Sequence, residues 1–255
     1  MTQKPSLIFV PSAWHSPECW GKIVSAMEAK EFKCIPVALP TNQSTSTDVN
    51  YSHDVKVVAD AIAAEASQGL DVVVLLHSYS GLVGQSAMRG FTSKSADTDG
   101  NTGRVIGLFH VSTGFVREGA CFLDTLGGKP LPTFEADYEN NVMVIKVDPI
   151  DMLYHDLPTE EAEYWVGKLS KQALTGLTEG YEVAYEGWRD VPIWQVMTKD
   201  DRALPYEAQK MLVRGAEKLG ADITKRIIDS AHLPMLSRPD ELVGILEEAI
   251  QAFTS

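Results

Sequence analysis

The fold is indicated by one stretch of the chain, Val72-Val73-Val74-Leu75-Leu76-His77-Ser78-Tyr79-Ser80-Gly81. Its first five residues are β-branched or aliphatic without a polar interruption, which is typical of a strand buried on both faces of a parallel sheet. The residues that follow suit a helix. We therefore expect a tight strand-to-helix turn with a serine at the junction.

Similar apolar runs recur along the chain and alternate with helix-length segments. The predicted strands are residues 7–10, 34–38, 71–76, 105–111, 193–197 and 223–228. Apolar residues at helical spacing predict helices over residues 54–68 and 206–219, and a last helix that Ser237 would cap. Strands that alternate with helices predict a doubly wound α/β fold with a mainly parallel sheet.

The alternation stops between residues 111 and 193, and a gap of about eighty residues is too long for a plain connection in a compact domain. The gap contains a Gly127-Gly128-Lys129-Pro130 turn, a β-like run at residues 142–147 and a helix signal at Thr159. We predict an α/β core of residues 1–114 and 189–255, with an inserted cap, or lid, of residues 115–188. The polar stretch 92–104 predicts an exposed loop.

Composition limits the classes of function. Among the 255 residues, 35 acidic side chains against 22 basic ones give a net charge of −13, which argues against a nucleic-acid partner. The three cysteines are far apart and form no zinc-ligand pattern, which favours a reducing compartment and no metal. The apolar run at residues 7–10 is too short for a signal peptide or a membrane span, so we expect a cytoplasmic protein without a membrane partner.

Ser78 is the candidate nucleophile, because a tight turn between strand and helix lifts a serine hydroxyl above the sheet. The backbone N–H of Tyr79 would then lie free at a helix start, where it can stabilise an oxyanion. Leu76 and Ser80 occupy the positions where a nucleophile elbow usually has glycine. Two alternatives stay open: Ser78 simply caps the helix, or Ser80 occupies the elbow.

A nucleophilic serine needs a histidine base and a carboxylate that orients it. His232 follows the last predicted strand, and Asp201 follows the strand before it. Loops that leave the carboxyl ends of parallel strands converge at one edge of the sheet, so these residues are expected to meet Ser78. Asp200 is the competitor of Asp201. We favour Asp201 because it begins an Asp-x-x-Leu-Pro turn.

The loop after the first strand is expected to supply the second oxyanion donor, the N–H of Ala13. Other residues are candidates for an apolar substrate pocket. These are Ser12 and Trp14 in the same loop, His110 at the end of a strand, Tyr154 and Trp165 in the insert, and Leu233 directly after His232. Such a site needs no organic cofactor and no metal.

The segments that carry these residues resemble the α/β-hydrolase superfamily. They are Phe9-Val10-Pro11-Ser12-Ala13-Trp14-His15 with Trp20, His77-Ser78-Tyr79-Ser80-Gly81, Asp201-Arg202-Ala203-Leu204-Pro205, and His232-Leu233-Pro234-Met235-Leu236-Ser237. More narrowly they look like the plant methylesterase and hydroxynitrile lyase branch and its fungal and bacterial hydrolase relatives, as does Leu153-Tyr154-His155-Asp156-Leu157-Pro158. The resemblance implies the fold without its two leading strands, and it suggests a homodimer.

Two positions bear on the reaction within this branch. The hydroxynitrile lyases have a lysine after the catalytic histidine, where this chain has Leu233, whereas Ser12 provides the first-loop hydroxyl that lyases share. Leu233 counts for more, because a cation that holds cyanide is hard to replace. We expect a serine hydrolase, an esterase or lactonase, that cleaves a small, largely apolar ester or lactone through an acyl-Ser78 intermediate. The alternatives are lyase or cyclisation chemistry with the same triad, and a non-catalytic small-molecule receptor.

Overall fold

The computed structural model of the chain describes residues 3–94 and 103–255. The strands are β1 (Ser6–Val10), β2 (Cys34–Pro36), β3 (Val72–His77), β4 (Val105–Val111), β5 (Phe134–Asp137), β6 (Val142–Ile145), β7 (Gln172–Ala173), β8 (Ile193–Thr198) and β9 (Ile223–Ile228). The helices are α1 (Gly21–Glu28), α2 (Tyr51–Ala66), α3 (Ser80–Ala87), α4 (Phe122–Thr125), α5 (Thr159–Gly167), α6 (Thr175–Thr178), α7 (Tyr206–Lys218), α8 (Pro234–Ser237) and α9 (Pro239–Phe253). None of the helices within these ranges has the length and hydropathy needed to cross a membrane.

The main sheet has six strands in the order β2-β1-β3-β4-β8-β9, and every neighbouring pair is parallel. All six predicted strands are present with small shifts at their ends, so the predicted doubly wound fold is confirmed. The strand order reverses direction beside β1, and ligands bind at such switch points, outside the carboxyl ends of the strands. The loops after β1, β3, β8 and β9 all leave at this edge.

The continuous apolar strands are explained by a core on each face of the sheet. Successive side chains of a strand point to opposite faces. In β3, Val74 and Leu76 pack into the core beneath α2 and α3, whereas Val73 and Leu75 pack into the core beneath α1 and α9. A strand buried in this way needs apolar side chains on both faces, which is why its sequence does not alternate.

The segment between β4 and β8 adds no strand to the main sheet. It contains a separate antiparallel sheet in the order β5-β6-β7, a π-helical turn (Ile150–Tyr154), and α4, α5 and α6. The predicted Thr159 helix start is the first residue of α5.

The structure differs from the sequence-based predictions in two local details. Ser237 does not cap the last helix: it ends α8, and α9 begins at Pro239, whose fixed φ and missing N–H suit the first helical position. Residues 95–102 of the predicted polar loop lie outside the described residues, and Thr92 at its start is buried rather than exposed.

Candidate active site

Ser78 lies at a strained turn between β3 and α3. Its φ of 53° is in the left-handed region, which non-glycine residues seldom adopt. The strain is sustained by hydrogen bonds on both sides of the residue: Ser78 N–H donates to Val111 O at 3.0 Å, and the Thr113 hydroxyl donates to Ser78 O. Such over-determined backbone is typical of functional sites.

Ser80 is engaged in structure at the same turn. Its Oγ lies 3.0 Å from both Val10 O and His77 O and accepts from His77 N–H at 2.9 Å, and the residue is fully buried. The Ser78 side chain is partly exposed and faces a cavity, and it makes no hydrogen bond to another residue that the structure describes. This geometry favours the elbow with Ser78, and it disfavours a helix-capping role for that hydroxyl.

Positions 76 and 80 have no glycine, but two glycines of α3, Gly81 and Gly84, lie very close to neighbouring side chains. A Cβ on Gly84 would lie 2.2 Å from Leu76 Cδ2, and a Cβ on Gly81 would lie 1.9 Å from Thr113 Oγ1. The Leu76 side chain therefore fits between strand and helix only because residue 84 has no side chain. The close approach of α3 to β3 is kept although the usual pattern is not.

His232 and Asp201 form a buried hydrogen-bonded pair. His232 Nδ1 lies 2.7 Å from Asp201 Oδ2, and the two residues are 2% and 5% exposed. A carboxylate partner on Nδ1 leaves Nε2 as the acceptor that faces the cavity. Asp200 is exposed and takes no part in this pair, so the structure favours Asp201 over its competitor.

The Asp201 carboxylate is held by several donors besides His232. Oδ1 accepts from the backbone N–H of Ala203 at 2.9 Å and of Leu204 at 2.8 Å, and Oδ2 accepts from the Thr198 hydroxyl at 2.7 Å. Burial alone would raise the pKa of Asp201, but the attraction of His232 and these hydrogen bonds hold that pKa below its usual value. Asp201 is therefore an anion that can stabilise an imidazolium.

Ser78 and His232 line the same cavity from two different loops. No hydrogen bond joins the Ser78 hydroxyl to His232 Nε2 among the residues that the structure describes. Catalytic hydrogen bonds are often long in unliganded sites and tighten when substrate binds. The free hydroxyl and the free ring nitrogen are the two groups that would have to meet.

Two backbone N–H groups point to an oxyanion site. Ala13 and Tyr79 line the cavity next to Ser78, and neither N–H donates to another described residue. The Ala13 loop is fixed by Trp14, whose φ is 63° and whose indole donates to Met143 O at 2.9 Å. Asn42 further donates from Nδ2 to Ser12 O at 2.7 Å.

The rest of the cavity is mainly apolar, and its described lining includes no acidic residue, lysine or arginine. The wall residues that were not predicted are mainly Phe115, Phe122, Leu123, Leu126, Pro130, Leu131, Phe134, Met143, Met152, Leu153, Leu177 and Leu212. Most of them belong to the insert. In the sequence such residues look like ordinary core, and no local pattern marks them as cavity wall.

Of the six residues predicted to contact substrate, Ser12 and Trp14 line the cavity, and the other four do not. His110 is buried behind the site, where Nδ1 lies 3.0 Å from Gln195 Oε1. Tyr154 directs its hydroxyl to His15 Nε2 at 2.7 Å. Trp165 and Leu233 pack into the core on the α1 side of the sheet. Each of these four side chains is buried against other parts of the protein, which explains why it does not line the cavity.

Three fully buried histidines make the stability of the fold depend on pH. Burial lowers the pKa of His15 and of His110 to about 4, and it holds the pKa of His77 well below the usual 6.5. The unfolded chain therefore takes up about three more protons than the folded chain as pH falls through 6.5. Burial of Asp54 raises its pKa to about 6, which opposes this by about one proton.

We therefore expect the free energy of unfolding to fall by roughly 2–3 kcal/mol for each unit by which the pH is lowered near pH 5. Urea unfolding monitored by tryptophan fluorescence at pH 7, 6 and 5 measures the change. Replacement of Asp54 by asparagine removes the opposing carboxyl and should steepen the loss. Equal unfolding free energies at pH 7 and pH 5 would contradict the expectation.

The described residues include no group of three or more His, Cys, Asp or Glu side chains placed to hold a metal ion. The polar groups at the catalytic end are instead a serine at an elbow, a histidine–aspartate pair and two free N–H groups. This is the donor set of acyl transfer.

The comparison with protein families agrees with the fold and the site. The model of the alpha/beta hydrolase family matches residues 7–245. The chain belongs to the alpha/beta hydrolase family.

Individual proteins similar to this chain carry names from several activities. The alpha/beta hydrolase nvfD of Aspergillus novofumigatus is 28% identical over 96% of each chain. Methylesterase 1 of Arabidopsis thaliana is 22% identical over 94% of each chain. Among solved structures, tomato methylketone synthase I with 2-tridecanone superposes with a TM-score of 0.78 at 17% identity, over 98% of this chain and 99% of that one. The resemblance to the methylesterase branch is confirmed, and the structural likeness supports the fold.

Proposed function

We propose that the protein is a serine hydrolase that cleaves a carboxylic ester or lactone of a small, largely apolar molecule. The observation that carries the proposal is the pair of His232 Nδ1 and Asp201 Oδ2 at 2.7 Å, which opens onto a cavity that Ser78 lines from a strained elbow. The methylesterase and hydrolase names among the relatives support the same class of reaction.

In the proposed mechanism, Ser78 gives its proton to His232 Nε2 as its oxygen forms a bond to the substrate carbonyl carbon. The N–H groups of Ala13 and Tyr79 stabilise the negative oxygen, each contributing about 3 kcal/mol to transition-state binding. The imidazolium, stabilised by the Asp201 carboxylate, then protonates the leaving alcohol oxygen as the carbon–oxygen bond breaks. Water then gives a proton to His232 Nε2 as its oxygen bonds to the acyl carbon. His232 returns that proton to Ser78 Oγ as the bond between Oγ and the acyl carbon breaks, which releases the acid.

We further propose that residues 115–188 form the cap and determine which substrates bind. α4, β5 and β6 supply much of the apolar wall, and the polar groups of the cavity that lack a protein partner lie at the catalytic end. A substrate that fits this lining presents its reacting carbonyl to Ser78 and apolar carbon to the insert, because an unpaired polar group in the wall would cost desolvation.

The lyase alternative is disfavoured by the same lining. Leu233 lies in the core and does not reach the cavity, and the described lining offers no lysine or arginine to hold a cyanide leaving group. A lyase or receptor would also not form a stable acyl-serine. The covalent step therefore separates the proposals.

The test is mass spectrometry of the intact wild-type protein after exposure to a fluorophosphonate, together with hydrolysis of p-nitrophenyl acetate and butyrate. We expect one phosphonyl adduct per chain, mapped to Ser78 by peptide sequencing, and faster turnover of butyrate. A folded protein that gains no adduct and hydrolyses neither ester would overturn the proposal and favour lyase or receptor function.

A further inference from the structure

The π-helical turn and the residues after it connect the insert to the catalytic loops. We define residues 151–156 as the anchor segment. Met152 and Leu153 from this segment line the cavity. The polar side chains on either side of them point instead to the loops that carry the proposed catalytic groups. π-helical turns are uncommon and often lie at functional sites.

Tyr154 reaches the oxyanion loop through His15. His15 Nδ1 lies 2.8 Å from Ala13 O, and a carbonyl only accepts, so Nδ1 carries the proton. Nε2 is then an acceptor, and the Tyr154 hydroxyl donates a hydrogen bond to it at 2.7 Å. His15 is 3% exposed and Tyr154 is fully buried, so neither group has water as a substitute partner. The carbonyl of Ala13, the residue whose N–H is the proposed oxyanion donor, is thus held from the insert through one imidazole.

Asp156 reaches the loop that carries the base. Its Oδ2 accepts from the backbone N–H of Ala231 at 2.8 Å, one residue before His232. A hydrogen bond from a backbone N–H to a carboxylate is charge-assisted and stronger than a neutral one. Asp151 also pairs with Arg202, next to Asp201, but both side chains are more than half exposed, so this ion pair adds little.

We propose that Tyr154 and Asp156 are positioning residues for the hydrolase reaction, acting on the oxyanion N–H of Ala13 and on the imidazole of His232 respectively. The inference rests on the proposed function. According to this proposal, the anchor segment affects the reaction rate as well as the shape of the cavity. A displacement of either loop reduces transition-state stabilisation more than it reduces binding of the apolar part of the substrate.

Tyr154→Phe tests the first contact, because it removes only the hydroxyl. The expected result is a fall of about tenfold in kcat with KM within about twofold, smaller than the loss of an oxyanion donor itself. The rate of phosphonylation should fall by the same factor, since that reaction forms the same charged oxygen. Tyr164→Phe is the matched control. The Tyr164 hydroxyl also donates to a residue outside the insert, Glu18 Oε1 at 2.7 Å, but it contacts no proposed catalytic loop.

Asp156→Ala tests the second contact, with Asp156→Asn as the conservative variant that keeps an acceptor for Ala231 N–H. We expect a fall of about tenfold in kcat for alanine and near wild-type kcat for asparagine. Asp137→Ala, which removes a carboxylate that accepts from Asn140 N–H at 3.0 Å in the insert, is the control. Thermal unfolding of each variant shows whether the chain remains folded at the assay temperature.

The outcomes separate the two proposals. If wild type forms no adduct and hydrolyses no ester, the proposed function fails. If wild type is active but Tyr154→Phe and Asp156→Ala match Tyr164→Phe and Asp137→Ala, or if they change only KM, the positioning roles are wrong while the hydrolase proposal stands.

Discussion

Ser78→Ala is expected to lower kcat for p-nitrophenyl butyrate by about 10⁵-fold and to abolish the phosphonyl adduct, because the chain loses the oxygen that forms the covalent bond. The fold should change little. The Ser78 hydroxyl makes no hydrogen bond to a described residue, and alanine meets the same strain at a φ of 53° as serine does. Steady-state kinetics, intact mass and urea unfolding of the variant check the three expectations.

Ser80→Ala is the matched control at the same elbow. The Ser80 hydroxyl bonds to Val10 and His77 in the buried turn, so its loss should lower the free energy of unfolding by about 1–3 kcal/mol. The adduct should remain on Ser78. An adduct that persists in Ser78→Ala and disappears in Ser80→Ala would assign the nucleophile to position 80 instead.

Asp201→Asn should have the second-largest effect, a fall of about 10⁴-fold in kcat, as is found when a triad acid becomes an amide. The structure gives the reason. Two backbone N–H groups, of Ala203 and Leu204, fix an acceptor at the Oδ1 position, so the new amide nitrogen occupies the Oδ2 position beside His232 Nδ1. It donates there, which leaves the ring proton on Nε2. The imidazole then has no acceptor for the Ser78 proton.

Asp200→Asn is the matched control for this charge, since Asp200 is adjacent in sequence and exposed. Its kcat should stay within about twofold of wild type, because an exposed charge is screened by solvent. A large loss in Asp200→Asn with full activity in Asp201→Asn would show that the acid has been misassigned. ¹H NMR of the His232 ring N–H signals checks the tautomer directly.

The fold could be predicted from the sequence, and the residues of the proposed triad could be placed at one edge of the sheet, because both depend on simple geometry. The strands of a buried parallel sheet are recognisable in a sequence as apolar runs. The residues that follow these strands all lie at one edge of the sheet. Ser78, Asp201 and His232 each follow such a run. Asp201, and not Asp200, lies beside His232, because the carboxylate of a turn-forming aspartate bonds to the backbone N–H groups that follow it.

Four of the predicted substrate contacts lie outside the cavity, because the position of these side chains depends on long-range packing. His110 lies near the end of β4, as a pocket residue would, yet its ring is hydrogen-bonded to Gln195. Tyr154 is bonded to His15, which lies 139 residues away in the chain, and no local pattern encodes that partner. Phe122 lines the cavity from α4 and Met143 from β6. An apolar residue in a sequence does not reveal whether it faces solvent-free core or substrate.

The position of Gly84, in the helix and not in the strand, also affects how such proteins are found by sequence. Leu76 is tolerated because Gly84 has no side chain. The usual signature places a glycine at position 76, whereas here the glycine that lets β3 and α3 lie close together is eight positions later. A genome scan for Gly-x-Ser-x-Gly would pass over this chain. A different search would look for a large aliphatic residue two positions before the serine and a glycine one or two helical turns after it. It would find proteins in which the helix, and not the strand, provides the glycine that relieves this steric clash.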